Sequence, residues 1–441
     1  MIFGTNIVQA ESITIDGSTD TDVNRQNRQY DISGGESAGN NIFHSFEKFG
    51  LNRGEIANFL AEHGTENIFN RVTGGDPSII NGLLKISGGN PNLFLVNPVG
   101  IIFGKNSSIN LPASFTATTA NGIQIGEFWF HALETNNYEN LVGEAKGFVF
   151  LESDIGSIVN LGDINVGVTE EVSLNDHGVL IDQHGNVISD SPAQKTGETI
   201  NLIGGLIINT GSLNTPGGTI NIVSVPDKQL VQITPEGSLL SLALPTESET
   251  MLREGVETKG LTPLALPTLL TGGNAVEATE VAIVDGVITL RGGQTGLSPD
   301  LGTIIVTGNL DASGTNVDGG NINIQGEKVS LSHLKVDASG VNVDGGNINI
   351  QGEKIDINQS NIDVSDIPGD RDVANDLGDG KNINIQGEEI DIIESKLDAS
   401  GTNVDGGNIN LHGGKVSLSH MKVDASGANV DGGNINIHGE K

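Results

Sequence analysis

The sequence contains no cysteine among its 441 residues. That absence excludes disulfide scaffolds, catalysis by a thiol and cysteine-based zinc sites. Basic residues are also scarce, since 22 Lys and Arg face 56 Asp and Glu and leave a formal net charge of −34. A chain this acidic repels phosphate backbones and anionic membrane surfaces, so we expect no nucleic-acid partner. Divalent cations and neutral or cationic glycans stay open as partners.

Apolar residues are few, and they form no long runs. Only 36% of the chain is hydrophobic, while 62 residues are glycine, so a long thin fold with a narrow interior fits better than a compact globule. No segment approaches the roughly 18 consecutive apolar residues of a membrane-spanning helix, which predicts a chain that does not span a membrane. Met1–Ala10 has no basic start and no sustained apolar run, so it is not a recognisable secretory signal. We expect a true start upstream of Met1, a gene fragment or an excised piece.

Aromatic residues stop at Phe150. All 13 Phe, the single Trp and both Tyr lie at or before that position, so the core beyond it must consist of Ile, Val, Leu and Ala. We therefore place a boundary near residue 150, between an aromatic-packed cap and a repetitive body. The predicted segments are 1–150, a cap with the first coils; 151–224, coils with a hairpin excursion; 225–300, an irregular insertion; and 301–441, regular 26-residue repeats.

The motif Asp-Ala-Ser-Gly marks the repeats of the body. It recurs, once in altered form, at steps of 26, 26, 35 and 26 residues, beginning at Asp311, Asp337, Asp363, Asp398 and Asp424. Apolar residues keep the same register, and the clearest column is Ile322, Ile348, Ile383, Ile409 and Ile435. Within a repeat, apolar and polar residues alternate over three short segments, such as Asn321–Ile324, Val329–Leu331 and Leu334–Ala338. This alternation predicts three strands per repeat.

A single repeat cannot bury its apolar stripe, whereas equivalent strands stacked about 4.8 Å apart turn the columns into a continuous core. We therefore predict an all-β, right-handed parallel β-helix with three strands per coil, an N-terminal aromatic-rich cap and extra-helical loops. The handedness rests on the strong bias of parallel crossovers. Similar segments at Thr199–Leu202 and Thr219–Ile222 indicate that the helix begins well before the regular repeats.

Three stretches are predicted to leave the stack. Ile367–Gly380 contains Pro and Gly and accounts for the longer step, so we expect an expelled loop there. Val225–Gly296 is interpreted as a large excursion with a short helix around Glu247–Glu257. Leu180–Ile188 has the pattern of a hairpin that turns near Gly185.

Polar residues of the repeats form columns as well. Two columns of Asn are expected to point outward and to hydrogen-bond along the axis; their members are Asn321, Asn347, Asn382, Asn408 and Asn434, and Asn323, Asn349, Asn384, Asn410 and Asn436. Asp residues form two further columns. Within each column, neighbouring carboxylates stacked about 4.8 Å apart would repel each other by roughly 1 kcal/mol even in water, so counterions or splayed side chains must reduce this repulsion. Their members are Asp311, Asp337, Asp363, Asp398 and Asp424, and Asp318, Asp344, Asp379, Asp405 and Asp431.

Calcium is the obvious counterion, because carboxylates and turn carbonyls are its preferred ligands. The calcium β-roll signature Gly-Gly-x-Gly-x-Asp is absent, however, so we predict no specific metal site and no cofactor. His333 and His420 occupy one offset of their repeats, but Gln359 and Glu394 fill it in the repeats between them. A continuous histidine column for a metal is therefore excluded.

The stretch Gly88–Thr119 predicts a defined corner. Leu93–Val96 is a short apolar run, Asn97–Gly100 has the composition of a turn, and Ile101–Phe103 is a second apolar run, so we expect strand, turn and strand. Pro98 restricts its own φ, and Gly100 permits a backbone conformation that side chains resist. Asn97 can close the turn with a side-chain hydrogen bond.

The neighbours of this corner give it a family context. Asn41–Phe49 and Asn67–Gly75 precede it, and Ser114-Phe115 and Thr118-Thr119-Ala120 follow it. In this order and spacing the segments resemble the filamentous-haemagglutinin N-terminal domain, the secretion domain of two-partner secretion systems. The resemblance is closest to repetitive surface proteins of cyanobacteria. It covers about Ile13–Ile125 and extends more loosely into the repeats.

The resemblance implies a secreted or surface-displayed exoprotein with a haemagglutinin-like, adhesive role. It implies one protein partner, a cognate outer-membrane pore that recognises the N-terminal domain, and surface glycans are a second candidate partner. The recognition motif carried over is Asn97, Pro98, Val99, Gly100 and Ile101, where the family has Asn-Pro-Asn-Gly-Ile and Val99 departs from it. Asn90–Leu93 looks like the family's other short motif but runs directly into the first, so no role is assigned to it.

We expect the corner to be exposed and to serve export more than stability. The alternative class is a carbohydrate-active enzyme, since parallel β-helices also host polysaccharide lyases and hydrolases. Those enzymes gather carboxylates in one groove, commonly beside a basic residue, whereas here the carboxylates recur in every coil. We therefore predict no enzymatic activity and name no catalytic residue.

Overall fold

A computed structural model describes residues 13–175, 177–188, 192, 194–233, 239–243, 280–284, 287–291, 300–341, 343–367, 381–402, 405–428 and 431–440. Almost all regular structure in these ranges is β-strand, and the helix they contain is the single 3-10 turn Tyr138–Asn140. No helix in the described ranges is long and apolar enough to cross a membrane.

The chain winds into coils, and each coil contributes one short strand to each of three faces. On the first face, equivalent strands of successive coils pair in parallel. They are β5 Asn41–Lys48, β7 Asn67–Val72, β10 Asn92–Val96, β13 Phe115–Thr118, β21 Thr199–Gly204, β24 Thr219–Ser224, β32 Asn321–Gln325, β36 Asn347–Asn358, β39 Asn382–Ile393, β41 Asn408–Ser419 and β43 Ile435–Gly439. Two strands pair antiparallel with β5 at the start of the stack, β1 Thr14–Ile15 and β4 Glu36–Ala38.

The second and third faces are also parallel stacks. The second contains β8 Ser78–Ile80, β11 Gly100–Phe103, β17 Ser157–Asn160, β22 Leu206–Asn209, β29 Thr303–Val306, β33 Lys328–Ser332 and the second halves of β36, β39 and β41. The third contains β3 Gln29–Gly34, β6 Ile56–Leu60, β9 Leu83–Ser87, β12 Ser108–Leu111, β18 Asp163–Val166, β23 Ser212–Asn214, β30 Leu310–Asp311, β34 Lys335–Asp337, β37 Asn361–Asp363, β40 Lys396–Asp398 and β42 Lys422–Asp424. β2 Thr21–Gln26 pairs antiparallel with β3, and a small parallel sheet joins β31 Gly314–Thr315, β35 Gly340–Val341 and β38 Asp366–Ile367.

The core follows from the alternation of the sequence, because successive side chains of a strand point to opposite faces. Ile322 pairs with Ile348, and Ile348 pairs with Ile383; all three are fully buried. One apolar cluster extends in this way from Ile13 to Ala425. The predicted all-β parallel β-helix, its register and its inward apolar columns are confirmed.

Glycine is abundant because the backbones of neighbouring coils come close at the corners. A Cβ added to Gly346 would lie 1.6 Å from the carbonyl oxygen of Gly320 in the preceding coil, and one added to Gly433 would lie 1.9 Å from that of Gly407. A side chain at either position would require the backbone to shift. Glycine fills the second position of the pair in most coils, and Lys381 fills it in the coil between Gly346 and Gly407.

An extra-helical antiparallel sheet covers the outside of the first face near the N-terminus. We call it the side sheet; its strand order is β15 Phe128–His131, β14 Gly122–Ile125, β16 Ala145–Phe150, β25 Gln229–Ile233 and β26 Leu239–Ala243. Beneath it the rings of Phe43 and Phe69 stack 5.1 Å apart, and those of Phe69 and Phe94 stack 4.4 Å apart. Phe43, Phe69 and Phe94 occupy equivalent outward positions in successive coils. The equivalent residue is Thr116 in the next coil and Asn201 in the coil after that. The aromatic column on the first face therefore ends at Phe94, while the apolar cluster beneath the side sheet continues to Ile203 and Val223 of later coils.

A hairpin covers part of the third face. Its strands β19 Val172–Leu174 and β20 Leu180–Asp182 pair antiparallel, and Val172 packs with Ile56 and Leu83. The chain then turns back at Gly185, where Ile188 N–H donates to the carbonyl oxygen of Leu180 at 3.0 Å. The hairpin predicted at Leu180–Ile188 is confirmed.

A second hairpin, β27 Glu280–Val284 with β28 Val287–Arg291, lies within the predicted insertion. The helix expected around Glu247–Glu257 and nearly all of the loop Ile367–Gly380 lie outside the described residues. The four segment boundaries proposed from the sequence stay predictions.

Candidate functional site

The corner Asn97–Ile101 joins the first face to the second. Strand β10 ends at Val96 and strand β11 begins at Gly100, so the predicted strand, turn and strand are confirmed. Asn97 is fully buried: its Nδ2 donates to the carbonyl oxygen of Asp76 at 3.0 Å and to Ser78 Oγ at 3.1 Å. Its Oδ1 accepts the N–H of Val99 at 3.0 Å. One side chain thus closes its own turn and fastens it to the preceding coil.

The backbone of the turn is equally constrained. Gly100 has φ 142°, a conformation that favours glycine. From the other side, a Cβ added to Gly156 would lie 2.3 Å from the carbonyl oxygen of Pro98, so the next coil presses directly on the turn. Ile101 is fully buried in the core, while Pro98 and Val99 are half-buried.

We expected the corner to be exposed, and these contacts correct that expectation for one of its residues, because the Asn97 side chain is buried. It lies inside, because the side chains and carbonyls of the preceding coil need a donor there. The outer surface of the motif is formed by Pro98 and Val99. Val99 contributes its backbone N–H to the turn, which explains why a residue other than the family's Asn leaves the turn intact.

The other segments that resemble the family lie in register with one another. Asn67 Nδ2 donates to Asn41 Oδ1 at 2.9 Å, and Asn92 Nδ2 donates to Asn67 Oδ1 at 2.9 Å. The N–H of Ser114 donates to Asn92 Oδ1 at 3.2 Å, and Asn97 N–H donates to the carbonyl oxygen of Thr118 at 3.0 Å. Asn41, Asn67, Asn92 and Ser114 therefore form one hydrogen-bonded column where the strands of the first face begin, and Asn97 bonds to Thr118 where two of them end.

Arg71 is a buried cation that the sequence reasoning left without a role. Its Nε donates to Ser45 Oγ at 2.8 Å, and its guanidinium also reaches Ser18 Oγ and the carbonyl oxygens of His131 and Glu134. It thereby joins the first face to the side sheet. The sequence does contain a signal for this role of Arg71. The residue lies within Asn67–Gly75, among residues that face outward under the aromatic cap.

Asp16 continues this network. Its carboxylate accepts hydrogen bonds from Ser45 Oγ at 2.6 Å, from Thr73 Oγ1 at 2.9 Å and from Ser18. Burial alone would raise the pKa of Asp16, but these hydrogen bonds outweigh it and lower the pKa. The network is a structural clasp at the N-terminus of the stack, with every group already partnered.

Outward Asn residues of the body form the predicted ladders. Asn349 Nδ2 donates to Asn323 Oδ1 at 2.9 Å, Asn384 Nδ2 donates to Asn349 Oδ1 at 2.9 Å, and the neighbouring column is bonded in the same way. The ladder extends upstream, where Asn323 Nδ2 donates to Asn221 Oδ1 at 2.9 Å. A regular array of carboxamides therefore runs along the first face.

The first Asp column is relieved by protein groups. In each repeat the carboxylate accepts the N–H and O–H of the Ser two residues later, as Asp424 does from Ser426 at 3.2 and 2.7 Å. Lys422 lies 3.0 Å from Asp424, and Lys396 contacts Asp398 in the same manner. Hydrogen bonds from Ser426 and Lys422 lower the pKa of Asp424 to about 2. Within the described ranges no three His, Asp or Glu are placed to hold a metal ion.

His333 and His420 occupy equivalent positions in their repeats, and this position lies at a corner of the coil. His333, Gln359, Glu394 and His420 all have positive φ, between 48° and 57°. Gln359 Nε2 donates to Glu394 Oε2 at 2.7 Å, so the residues between the two histidines bond to each other. The four residues share a turn geometry, and their side chains differ from coil to coil.

Comparison with known proteins identifies the family. A family model described as the TPS secretion domain matches residues 11–250, more than half of the chain. The chain belongs to the TPS secretion domain family. The resemblance predicted from the residues of the cap is confirmed, and the match also includes the side-sheet strands β14 to β26 and the first coils of the body.

Two solved structures are similar to the chain in fold. The HMW1 secretion domain from Haemophilus influenzae has 19% identity and a TM-score of 0.38, with 97% of this chain and 99% of that chain covered. The filamentous hemagglutinin secretion domain has 14% identity and a TM-score of 0.40, with 97% and 100% covered. No curated protein matches the sequence.

Proposed function

We propose that this two-partner-secretion exoprotein is exported through a cognate outer-membrane pore that recognises the domain at residues 11–250, and that its repeats act in adhesion. The observation that carries the proposal is the match of the TPS secretion domain to the coils and side sheet of the N-terminal half. The remaining coils continue the same stack, so the domain and the body form one continuous core.

The physics of the fold supports this route. A chain without cysteine forms no disulfide loop that would hinder threading through a pore. Each coil pairs only with its neighbours, so a folded coil is a template for the next one to emerge. Folding outside the cell can then proceed in one direction without ATP.

The surface of the body supports adhesion to a polymer. Identical carboxamides repeat along the first face at the spacing of the coils, so one extended ligand would meet the same groups many times. Repeated weak contacts of this kind add up through effective concentration. The net charge of −34 favours neutral or cationic polymers, such as surface glycans.

We further propose that Asn97, Pro98, Val99, Gly100 and Ile101 are the recognition motif. Pro98 and Val99 supply its half-buried outer surface, while Asn97 and Ile101 hold the shape from within. A turn fixed on both sides by neighbouring coils presents one conformation, so a partner would bind it at little entropic cost.

Co-expression tests the export proposal. The full chain with a signal peptide is produced in cells that contain or lack the outer-membrane pore protein encoded with it, and the protein in the medium is quantified. We expect release only with the pore. A pore variant without its periplasmic domains is the control and should release none. Equal release without the pore would refute the proposal.

The enzyme alternative is not favoured by the family, because the match is to a secretion domain. The recurring carboxylates of the first Asp column each accept hydrogen bonds from a Ser of their own coil, and Asp398 and Asp424 also contact a Lys. These carboxylates therefore stabilise the corner of each coil, where they accept hydrogen bonds from the turn.

A further inference from the structure

The outer surface of the first face carries no charged residue along the regular repeats. In each of the ranges 321–325, 347–351, 382–386, 408–412 and 434–438, the first, third and fifth side chains point outward. They are Asn, Asn and Gln in the first three ranges and Asn, Asn and His in the last two. We call this surface the carboxamide face. It is built without Asp or Glu, although the chain has a formal net charge of −34.

The Asn ladders hold the side chains of this face in one arrangement. Asn384 Nδ2 donates to Asn349 Oδ1 at 2.9 Å, and Asn410 Nδ2 donates to Asn384 Oδ1 at 2.8 Å. A carboxamide has two N–H donors and two acceptor lone pairs, so the ladder leaves Asn384 with one of each. The face therefore offers donors and acceptors together, which makes it complementary to a copy of itself. Side chains that are already fixed lose little entropy when a partner contacts them.

The spacing of the face also selects its partner. Successive coils lie about 4.8 Å apart, and a rigid partner meets equivalent groups in every coil when it has the same repeat. A second copy of the chain has this repeat by construction. Paired sheets that present identical Asn or Gln side chains to each other are the arrangement found in steric zippers.

The charge of the other faces directs two copies to this one. On the second face, Asp356 and Asp391 point outward in neighbouring coils, and the third face carries the first Asp column. A pair formed through either of those faces would bring columns of carboxylates together. Along the described repeats, two copies of so acidic a chain meet the least repulsion at the carboxamide face.

Acidic residues border the carboxamide face on both sides. Asp344 and Asp405 lie three residues before the first Asn of their coils, and Glu353 and Glu388 lie two residues after the Gln of theirs. In a face-to-face pair these borders would approach the borders of the partner. Their repulsion is reduced by dissolved salt, so the pair should depend on ionic strength.

The size of the face predicts a weak pair. Five coils at about 4.8 Å and five residues at about 3.3 Å give roughly 24 Å by 17 Å, or about 400 Å² on each copy. Stable complexes bury about 800 Å² per partner, and transient ones bury less. Many copies displayed together would strengthen such contacts through effective concentration.

We propose that the carboxamide face is a self-association surface, on which a second copy of the chain docks face to face through Asn and Gln side chains. The pair would be two-fold symmetric, so that each copy uses the same residues. The inference goes beyond the proposed function, because it concerns contact between copies and depends neither on export nor on a glycan. Copies displayed on neighbouring cells would then adhere to one another.

Analytical ultracentrifugation of the purified chain measures the association over a series of protein concentrations. We expect reversible dimers that become more stable as sodium chloride is added, because salt screens the acidic borders. A monomer at every concentration, or dimers that weaken as salt is added, would overturn the inference.

Charge substitutions locate the contact. Gln351→Glu combined with Gln386→Glu adds two charges at exposed positions of the carboxamide face and should weaken dimerisation roughly tenfold. Asn358→Asp combined with Ser417→Asp adds two charges at exposed positions of the second face and should leave dimerisation unchanged. Thermal melts check that both variants fold. Equal dimerisation of the two variants would count against the carboxamide face.

Cross-linking supplies a second arm that does not depend on those variants, since the chain has no cysteine of its own. Asn384 lies in the middle outward position of β39, the third of the five stacked strands, so full overlap places it opposite its equivalent. With a short bis-maleimide reagent, Asn384→Cys should give a covalent dimer and Asn358→Cys should not. Copies joined end to end through the exposed Ile435 and Ile437 would be linked at neither position, and that result would refute the proposal.

Discussion

At the scale of the residue, buried polar groups decide how the secretion domain is held together. A buried donor or acceptor without a partner costs about 1–3 kcal/mol, and most such groups in the cap have a specific counterpart, with Asn70 Oδ1 and Ser107 Oγ among the exceptions. Asn97 satisfies groups in two coils at once. Its position in the turn therefore serves stability, and under the proposed function contact with a partner falls to Pro98 and Val99.

The first prediction follows from these hydrogen bonds. Asn97→Ala removes one acceptor and two donations, leaving the N–H of Val99 and the carbonyl oxygen of Asp76 unsatisfied. We expect a loss of about 2–4 kcal/mol in the free energy of unfolding, measured by thermal and urea denaturation. Asn137→Ala, at an exposed position, is the matched control and should be neutral.

Release from secreting cells completes that experiment. A variant at the outer surface, Val99→Asp, should keep the melting temperature and lower release, while Asn97→Ala should lower both. If Asn97→Ala proves as stable as the wild type and only release falls, the buried asparagine itself is read by the partner.

The second prediction concerns His44, which lies in the interior with Nδ1 3.0 Å from Thr21 Oγ1. Burial lowers the pKa of His44 to about 4, below the value of about 6.5 in an unfolded chain. Between these values the unfolded state binds more protons, so stability falls as the pH drops from about 6.5 to about 4. The shift corresponds to roughly 3 kcal/mol across that window.

Melting curves across pH 4–7 measure this contribution. His44→Gln removes the titration, so its stability should fall less steeply with acid than that of the wild type. His184→Gln, which alters an exposed histidine, should retain the wild-type slope. Parallel pH profiles for wild type and His44→Gln would contradict the assignment.

At the scale of the element, the repeats were predictable and the side sheet was not. The columns through Ile322 and Asn323 could be aligned because nearly identical strands recur in one register. The side sheet pairs Val149 with Leu230, which are distant in sequence and belong to no repeat. The burial of Asn97 was equally hidden, since it depends on Asp76 and Ser78 of the preceding coil.

The third prediction tests the register of the stack. Ile350 is 1% exposed and points inward, whereas the adjacent Asn349 points outward and bonds to Asn323. Ile350→Asp should place an unpaired charge in a dry interior and cost more than about 3 kcal/mol, with local unfolding of nearby coils. Asn349→Asp, the matched control, should cost far less because water reaches its side chain. Limited proteolysis and thermal melts distinguish the two, and equal tolerance would mean that the register is wrong.

At the scale of the whole molecule, the fold must stack many carboxylates while the chain carries a net charge of −34. Neighbouring Asp side chains about 4.8 Å apart repel by roughly 1 kcal/mol per pair in water. The structure offsets this because a Ser of the same coil hydrogen-bonds each carboxylate of the first column, and a Lys contacts three of the five. In the second column Lys381, in a position that other coils give to glycine, lies 3.0 Å from Asp344.

The last prediction concerns calcium. Because the carboxylates already have partners in the protein, we expect no specific stabilisation by this ion. Its preferred ligands are carboxylate and carbonyl oxygens in a built cage, and the carboxylates of the first Asp column already accept hydrogen bonds from their own loops. Added calcium should therefore act mainly by screening, as magnesium at equal ionic strength does. We expect the two ions to stabilise the purified chain to within about 1 kcal/mol of each other, which is at most roughly 2 °C in melting temperature for a chain of this length. A rise of many degrees with millimolar calcium alone would show that the ion displaces Ser and Lys from the Asp columns and binds there specifically.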